Sequence, residues 1–245
     1  MGSKTGTEVA AIDCACVIHS DGYSWDYVDR LYSMLSRNLT QPIRLHVFTE
    51  SDRAVPDHMI KHVLTDWPGV HGPKQSWWYK MQLFNSKLFH GQMLYFDLDV
   101  VITGNLDWIT ALPQRSFWAI HDFRRLWKKS SRTINSSVMY FNTKEYNYVW
   151  NKFQQQSLQS VIGSYKGDQD FITDAVEPRH LRYFDLDRII SWRWQAIGNG
   201  SPIRRPLNNT QIPATVIPEN TSVLIFHGNP KPHELKDPVI EKYWF

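Results

Sequence analysis

The pentapeptide Tyr-Phe-Asp-Leu-Asp occurs twice in this chain, at 95–99 and at 183–187. Two carboxylates at i and i+2 on an extended backbone point the same way, and hard oxygen donors so placed can hold a divalent cation. The same pair is also an ordinary solvated feature of a half-exposed strand, so the flanking residues decide between the readings. In the first copy Met93, Leu94, Tyr95 and Phe96 reach Asp97 without a polar break, which is how a strand buried on both faces reads. Gly104 and Asn105 then mark a turn. Asp97 and Asp99 therefore leave the sheet at the carboxyl end of a central strand, where α/β sheets collect ligands. The second copy follows Arg-His-Leu-Arg, so Phe184 and Leu186 are expected to face the core while Asp185 and Asp187 face water beside Arg182 and Arg188. The first copy is the expected metal site and the second is not.

The elements that must carry these residues alternate in type. A strand over 14–19 leads through a Ser-Asp-Gly turn to a helix with Ser24 as N-cap and Val28, Leu31, Tyr32 and Leu35 on one face. Strands follow at 43–49 and 58–65, then a helix over 77–89 before the first pentapeptide. Beyond it come strands at 117–122 and 137–142, a helix carrying Tyr146, Val149, Trp150 and Phe153, a short helix in Gly-Asp-Gln-Asp-Phe-Ile-Thr-Asp-Ala-Val, and last strands at 181–187 and 222–228 that finish the sheet. Strands interleaved with helices predict an α/β fold with a mainly parallel central sheet. Residues 198–220, rich in Gly, Pro and Asn, read as a long loop.

Composition limits the function classes. The 245 residues suffice for one large core, and no abrupt change demands a second domain, so 1–245 is expected to form one domain with its core over about 12–235. The apolar run near the start is broken by Asp13, too short for a bilayer and without a basic leader, and Gly6 stands where N-myristoylation needs Ser or Thr. A cytoplasmic protein without a transmembrane segment is expected. Cys14 and Cys16, two apart on one strand, suit neither a disulfide nor a thiolate metal site and are expected to be buried apolar residues. A net charge of +3 is too small to argue for nucleic acid, whereas 11 Trp, 11 Tyr and 12 Phe exceed what the core needs and imply a surface that stacks on sugar or base rings.

Four segments in order, Asp-Leu-Asp at 97–99, Ile-Asn-Ser-Ser-Val-Met-Tyr-Phe-Asn at 134–142, Gly-Asp-Gln-Asp-Phe-Ile at 167–172 and Phe-His-Gly-Asn-Pro-Lys-Pro-His-Glu at 226–234, resemble those of the GT-A nucleotide-sugar glycosyltransferases. The likeness is to a family of bacterial glycosyltransferases and, more distantly, to the retaining glycogenin and lipopolysaccharide galactosyltransferase group. It runs from about residue 15 to 235 and includes the stretches 27–49 and 77–84.

The resemblance implies a single GT-A (Rossmann-like) domain, with a mainly parallel mixed sheet flanked by helices, that moves a sugar from a nucleotide diphosphate, a UDP-sugar foremost, with retention of configuration. It implies Mn²⁺ or Mg²⁺ on Asp97 and Asp99. Relatives supply a third ligand from a histidine three residues before the glycine; here Ile225 holds that place, and His227, next to Gly228, is the candidate. By the same likeness Lys231 and Lys80 bind the donor diphosphate, Tyr23 stacks on the base, Asp21 accepts from base or ribose, and Asn135 and Ser136 contact the donor sugar, with Ser137 where relatives have glycine. Asp168 and Gln169 match the Asp-Gln pair facing the anomeric carbon, and Asp170 points with Asp168 if extended and away if helical.

Two further stretches invite function. Residues 123–132 combine Arg124, Arg125, Lys128, Lys129 and Arg132 with Phe123 and Trp127, which suits an anionic acceptor, DNA included, or equally a mobile basic loop over the active site. Ser-Trp-Arg-Trp-Gln at 191–195, if extended, sets Trp192 and Trp194 side by side as an acceptor platform or as core. The acceptor itself, whether glycan, lipid-linked glycan, protein or modified nucleic acid, is not fixed by sequence. The competing functions are a sugar-nucleotide hydrolase or nucleotidyltransferase using the same diphosphate chemistry, and a non-catalytic sugar or nucleotide binding module, which would have no need of Asp97, Asp99, His227, Lys231 and Asp168 together.

Overall fold

The computed structural model describes residues 10–70, 75–126, 128–197 and 212–245. Ten strands are found there: β1 Ile12–Val17, β2 Ile43–Thr49, β3 Ile60–Val63, β4 Gln92–Phe96, β5 Val100–Ile102, β6 Phe117–His121, β7 Ile134–Asn142, β8 Leu181–Tyr183, β9 Ile189–Ser191 and β10 Val223–Ile225. The helices are α1 Asp26–Asn38, α2 Asp107–Thr110, α3 Asn147–Gln154, α4 Leu158–Ser164, α5 Asp168–Ala175 and α6 Pro238–Tyr243, with tight 3₁₀ segments at Ser76–Phe84, Phe123–Leu126 and Pro232–Glu234.

Seven strands form the main sheet in the order β3-β2-β1-β4-β7-β6-β8. All neighbours run parallel except β7, which is antiparallel to both β4 and β6. The expected mixed, mainly parallel α/β sheet is therefore present. From β1 the chain winds outward to β2 and β3, then returns to place β4 on the other side of β1. Strand order thus reverses between β1 and β4, and such a switch point opens a crevice beyond the carboxyl ends of both strands.

Apolar side chains fill both faces of this sheet. On one side α1, which buries Val28, Leu31, Met34 and Leu35, packs with β5, β9, β10 and Trp192; on the other the Ser76–Phe84 segment, α3 and α5 pack through Trp78, Phe84, Phe153 and Phe171. Cys14 and Cys16 are free and buried, and burial pushes both thiols far above their ordinary range. No helix among the described residues is long and apolar enough to cross a membrane.

Several local expectations are corrected. Helix α1 starts two residues after Ser24: Trp25 holds the cap position without a side-chain cap bond, and Asp26 and Asp29 in the first turn supply the negative charge its N-terminus favours. The helix expected over 77–89 ends at Phe84, and its residues from Trp78 on are buried all round. The segment 222–228 does not finish the main sheet. Its β10 pairs with β5 and β9 in a separate three-stranded sheet, because the chain leaves the main sheet at Asp97. Of the loop expected over 198–220, residues 198–211 lie outside the described residues, and the remainder carries no helix or strand.

At the far end of β1 and β2 lies a polar relay: His46 bonds Asp13 through Nε2 at 2.9 Å and His62 through Nδ1 at 2.8 Å, while Arg44 donates to Asp13. Burial and the neighbouring His46 push the His62 pKa down to about 4, from an ordinary 6.5. An unfolded chain takes up a proton near pH 6.5 that the folded one refuses until about pH 4, so this group withdraws stability as pH falls through that window. We expect the melting temperature to fall less steeply between pH 7 and 4.5 in His62→Gln than in the wild type, as read by thermal denaturation across pH.

Candidate active site

Asp97, Leu98 and Asp99 join β4 to β5 and sit at the switch point, where the main sheet hands the chain to the small one. The backbone N–H of Asp97 continues the β4–β7 ladder by donating to Ser137 O at 2.8 Å, which fixes its direction. Both carboxylates line a cleft of about 450 Å³ whose walls include Val17, His19 and Tyr23 after β1, Trp77 and Lys80 before β4, and His227, Gly228 and Lys231 after β10.

Four separated stretches of chain tie themselves to these two acids. Tyr95 Oη donates to Asp97 Oδ1 at 2.6 Å, and Lys80 Nζ lies 3.0 Å from the same oxygen. Lys80 also reaches Ser136 Oγ at 3.0 Å and Asp168 Oδ2 at 3.2 Å, and Ser136 Oγ donates to that Asp168 oxygen at 2.6 Å. Asp99 Oδ2 accepts from Tyr23 Oη at 2.8 Å and from Lys231 Nζ.

The electrostatics follow from this packing. Lys80 is only 7 % exposed. Burial works against its charge, yet Asp168 and Asp97 outweigh it and hold the lysine pKa above its ordinary value, so it remains a cation. Burial raises the Asp99 carboxyl, and the nearby charge of Asp97 adds to this against the pull of Lys231. Burial and Asp99 push the Tyr23 hydroxyl far up, so Tyr23 acts as a donor and not as a phenolate. The cleft floor thus holds two acids matched by two lysines.

A second cleft of about 260 Å³ shares Trp77, Lys80, Asp97 and Ser137 with the first and adds Asp168, Gln169 and Asp170. Helix α5 begins at Asp168, so the helical alternative holds: Asp168 is buried on Lys80, while Asp170 lines both this cleft and a third one beyond it. The N-cap position falls to Gly167, and Asp168 is the first helical residue.

Other predicted residues stand apart. Asn135 lines neither cleft; its Oδ1 accepts from Ser137 N at 3.0 Å, and Ser137 takes the place on both walls. The β6–β7 register shifts between Ala119 and Ile120, an irregularity in β7 that sequence alone does not reveal. Asp21 is exposed in a turn outside the cleft. His227 is on the wall, but Ser191 Oγ takes its Nε2 at 2.6 Å, its ring lies between Phe123 and Trp194, and burial with Arg193 nearby pushes its pKa down to about 4. Among the described residues no three His, Cys, Asp or Glu side chains converge as a ready ligand set. His233 bonds Tyr27 instead of facing the cleft. Gly228 is required here: its φ of +79° lies in the left-handed region, and the turn it makes carries the chain from His227 toward Lys231.

Trp192 and Trp194 form no platform. Residues Trp192–Ala196 coil into a single wide helical turn, which buries Trp192 on Phe226 at 4.7 Å and leaves Trp194 against His227. Trp127 lies outside the described residues. Sequence reading did not assign Tyr95, Ser137, Ser191 or Trp77; the period-2 placement of Tyr95 before Asp97 was the available signal for the first.

The second pentapeptide takes the expected place on the surface. Strand β8 stops at Tyr183, Phe184 is buried, and Asp185 and Asp187 are exposed. Arg188 lies 3.9 Å from Asp185, while Arg182 donates to main-chain carbonyls. Changing Asp185 and Asp187 together to Asn is expected to alter stability by no more than about 1 kcal/mol and to leave nucleotide affinity unchanged, measured by chemical denaturation and UDP titration.

No protein-family model matches the chain, and no curated protein matches it in sequence. Solved structures do match. The chain is similar to the galactosyltransferase LgtC crystallised with donor and acceptor sugar analogues, at 14% identity over 90% of this chain and 89% of that one, with a TM-score of 0.62. The fold is that of the GT-A glycosyltransferases. An active-site mutant of LgtC superimposes at a TM-score of 0.64 and 12% identity, covering 94% and 93% of the two chains. GlyE, a glycosyltransferase of Streptococcus pneumoniae TIGR4, matches over 96% of this chain and 59% of its own at a TM-score of 0.62 and 11% identity. Within this GT-A scaffold the two clefts described above lie beyond the carboxyl ends of β1 and β4.

Proposed function

We propose that the chain is a glycosyltransferase that moves a sugar from a nucleotide diphosphate, a UDP-sugar in the first instance, to an acceptor with retention of configuration. The observation that carries this reading is the closure of Asp97, Asp99, Lys80, Lys231 and Asp168, from separated parts of the sequence, on two adjoining clefts at the switch point that share Lys80 and Asp97. A binding module would gain nothing from burying so many charges against one another, since each costs several kcal/mol to desolvate before its partners offset it.

The donor set suits a hard divalent cation. Asp97 and Asp99 offer two carboxylates toward the cleft, and Mg²⁺ or Mn²⁺ is commonly held by one or two carboxylates with substrate phosphate and water completing the shell. His227, already bonded to Ser191, lines the same cleft. Mn²⁺ or Mg²⁺ on Asp97 and Asp99 would supply Lewis-acid neutralisation of the leaving diphosphate. Lys231 and Lys80 contribute fixed positive charge toward the same oxygens. Tyr23 and Trp77 line the space for the base and sugar. Asp168, held by Ser136 and Lys80, and Gln169 face the sugar from the second cleft.

Asp168→Asn preserves volume and leaves Lys80 its contact to Asp97. We expect it to lower kcat roughly 100-fold or more while changing the UDP dissociation constant less than about threefold, the pattern of an interaction made mainly in the transition state. Steady-state kinetics with parallel titrations would separate the two. The function as a whole is tested by incubating the protein with UDP-, GDP- and other nucleotide sugars plus Mn²⁺ and following nucleotide release. Release stimulated by an added acceptor supports a transferase, release into water alone points to a hydrolase, and none across the panel points to a binding module.

A further inference from the structure

The five basic residues of 123–132 exceed the chain's whole net charge of +3, and the segment contains no acid. Arg124 is accounted for: it donates from Nε and Nη2 to Asp122 Oδ2 at 2.8 and 2.6 Å. Arg125, Lys128, Lys129 and Arg132 form no ion pair with any carboxylate among the described residues. Its described residues nevertheless have defined structure. Asp122 N donates to Thr133 O at 3.0 Å across its base, Lys128 N to Arg124 O at 2.8 Å and Ser131 N to Lys128 O at 3.0 Å. Tyr183 Oη donates to Arg132 O at 2.7 Å, its ring packs on His121, and both Arg132 and Arg125 lie within electrostatic reach of it.

Position gives these charges a meaning. A cleft of about 300 Å³ is lined by Arg132, Thr133, Asp170, Thr173 and Asp174, and it shares Asp170 with the cleft of Asp168 and Gln169. With a nucleotide in the first cleft and its sugar in the second, a molecule lying in this third cleft would meet the second at Asp170, which does not line the first. The carboxylates of Asp170 and Asp174 suit sugar hydroxyls and would repel an anion, so a negative group on that molecule belongs farther out, at Arg132 and Arg125. Four cations without acidic partners are too many for one carboxylate. A phosphate monoester, with a charge near −2 and three acceptor oxygens, matches two guanidinium forks.

We propose that the acceptor is a phosphorylated sugar, its hydroxyls in the cleft beside Asp170 and its phosphate on Arg125 and Arg132. This rests on the glycosyl-transfer reading of the adjoining clefts. The test is a titration of the full chain, saturated with UDP and Mn²⁺, with glucose, glucose 6-phosphate and inorganic phosphate, followed by NMR. Glucose 6-phosphate is expected to bind roughly tenfold tighter than glucose at low salt, with the advantage shrinking at 0.3 M NaCl. Arg125→Gln with Arg132→Gln should bring the two sugars to parity with UDP affinity unchanged, and Arg132→Lys should retain part of the preference. Parity in the wild type, a preference that survives in the double variant, or inorganic phosphate binding as well as glucose 6-phosphate would overturn the proposal. A chain that fails to bind UDP would instead count against the glycosyltransferase reading, while the same sugar comparison, repeated without UDP, still reads the basic segment.

Discussion

Replacing Asp97 by Asn is expected to lower metal-stimulated turnover by roughly 10²–10³-fold, the scale of losing one electrostatic group at a developing charge, while the protein stays folded. Asn keeps the volume and can still accept from Tyr95 Oη and Lys80 Nζ, which lie at 2.6 and 3.0 Å from Asp97 Oδ1. It brings no charge to a hard cation. Lys80 keeps Asp168 as a charged partner, so no buried ion is left alone. Turnover measured over a Mn²⁺ series, with the melting temperature as control, checks this outcome. Unchanged turnover would mean that the first pentapeptide does not serve the donor.

The largest effect on stability is expected from Lys80→Met. Lys80 is the common cation of Asp97, Asp168 and Ser136; Lys80, Asp168 and Ser136 are buried and Asp97 is half-buried at the cleft. Breaking a buried pair by deleting one partner typically costs about 3–5 kcal/mol, because the remaining charge is uncompensated. Here two carboxylates would be left, so a loss at the upper end of that range is expected, together with loss of turnover. Asp168→Asn in the Lys80→Met background should recover part of the stability, with a coupling of about 1–3 kcal/mol. Urea denaturation of the two single variants and the double variant reads this directly, and additive effects would show that Lys80 and Asp168 do not act as a pair.

The parts of this architecture that were legible in the sequence are those where one physical signal dominated. An unbroken apolar run into Asp97 marked a central strand, and β4 is buried from Met93 to Phe96. The arginines around the second pentapeptide marked a surface, and Asp185 and Asp187 are exposed there. Lys80, Ser136, Asp168 and Lys231 were reached by resemblance, because no local pattern announces that a lysine at 80 will meet a carboxylate at 168. What was missed depended on long-range pairing. Strands β5, β9 and β10 have three residues each, too few to display a period, so the small sheet was invisible. Asn135 stays off the cleft walls and Ser137 lines both, at the point in β7 where the β6 partner of the strand jumps from Met139 to Asn135, an irregularity that no alternating pattern in the sequence announces. Trp192 and Trp194 diverge because their segment coils, which an alternating pattern with two tryptophans does not foretell.

The central claim, that the cleft at the switch point receives a nucleotide diphosphate, is tested most directly by calorimetric titration of the full chain with UDP in the presence and absence of Mn²⁺. The account predicts saturable one-to-one binding that Mn²⁺ strengthens by about tenfold or more, and that Asp97→Asn makes indifferent to the metal while Asp185→Asn with Asp187→Asn leaves intact. No UDP binding under either condition, or a metal effect that disappears with the second pair of aspartates and not with Asp97, would contradict it.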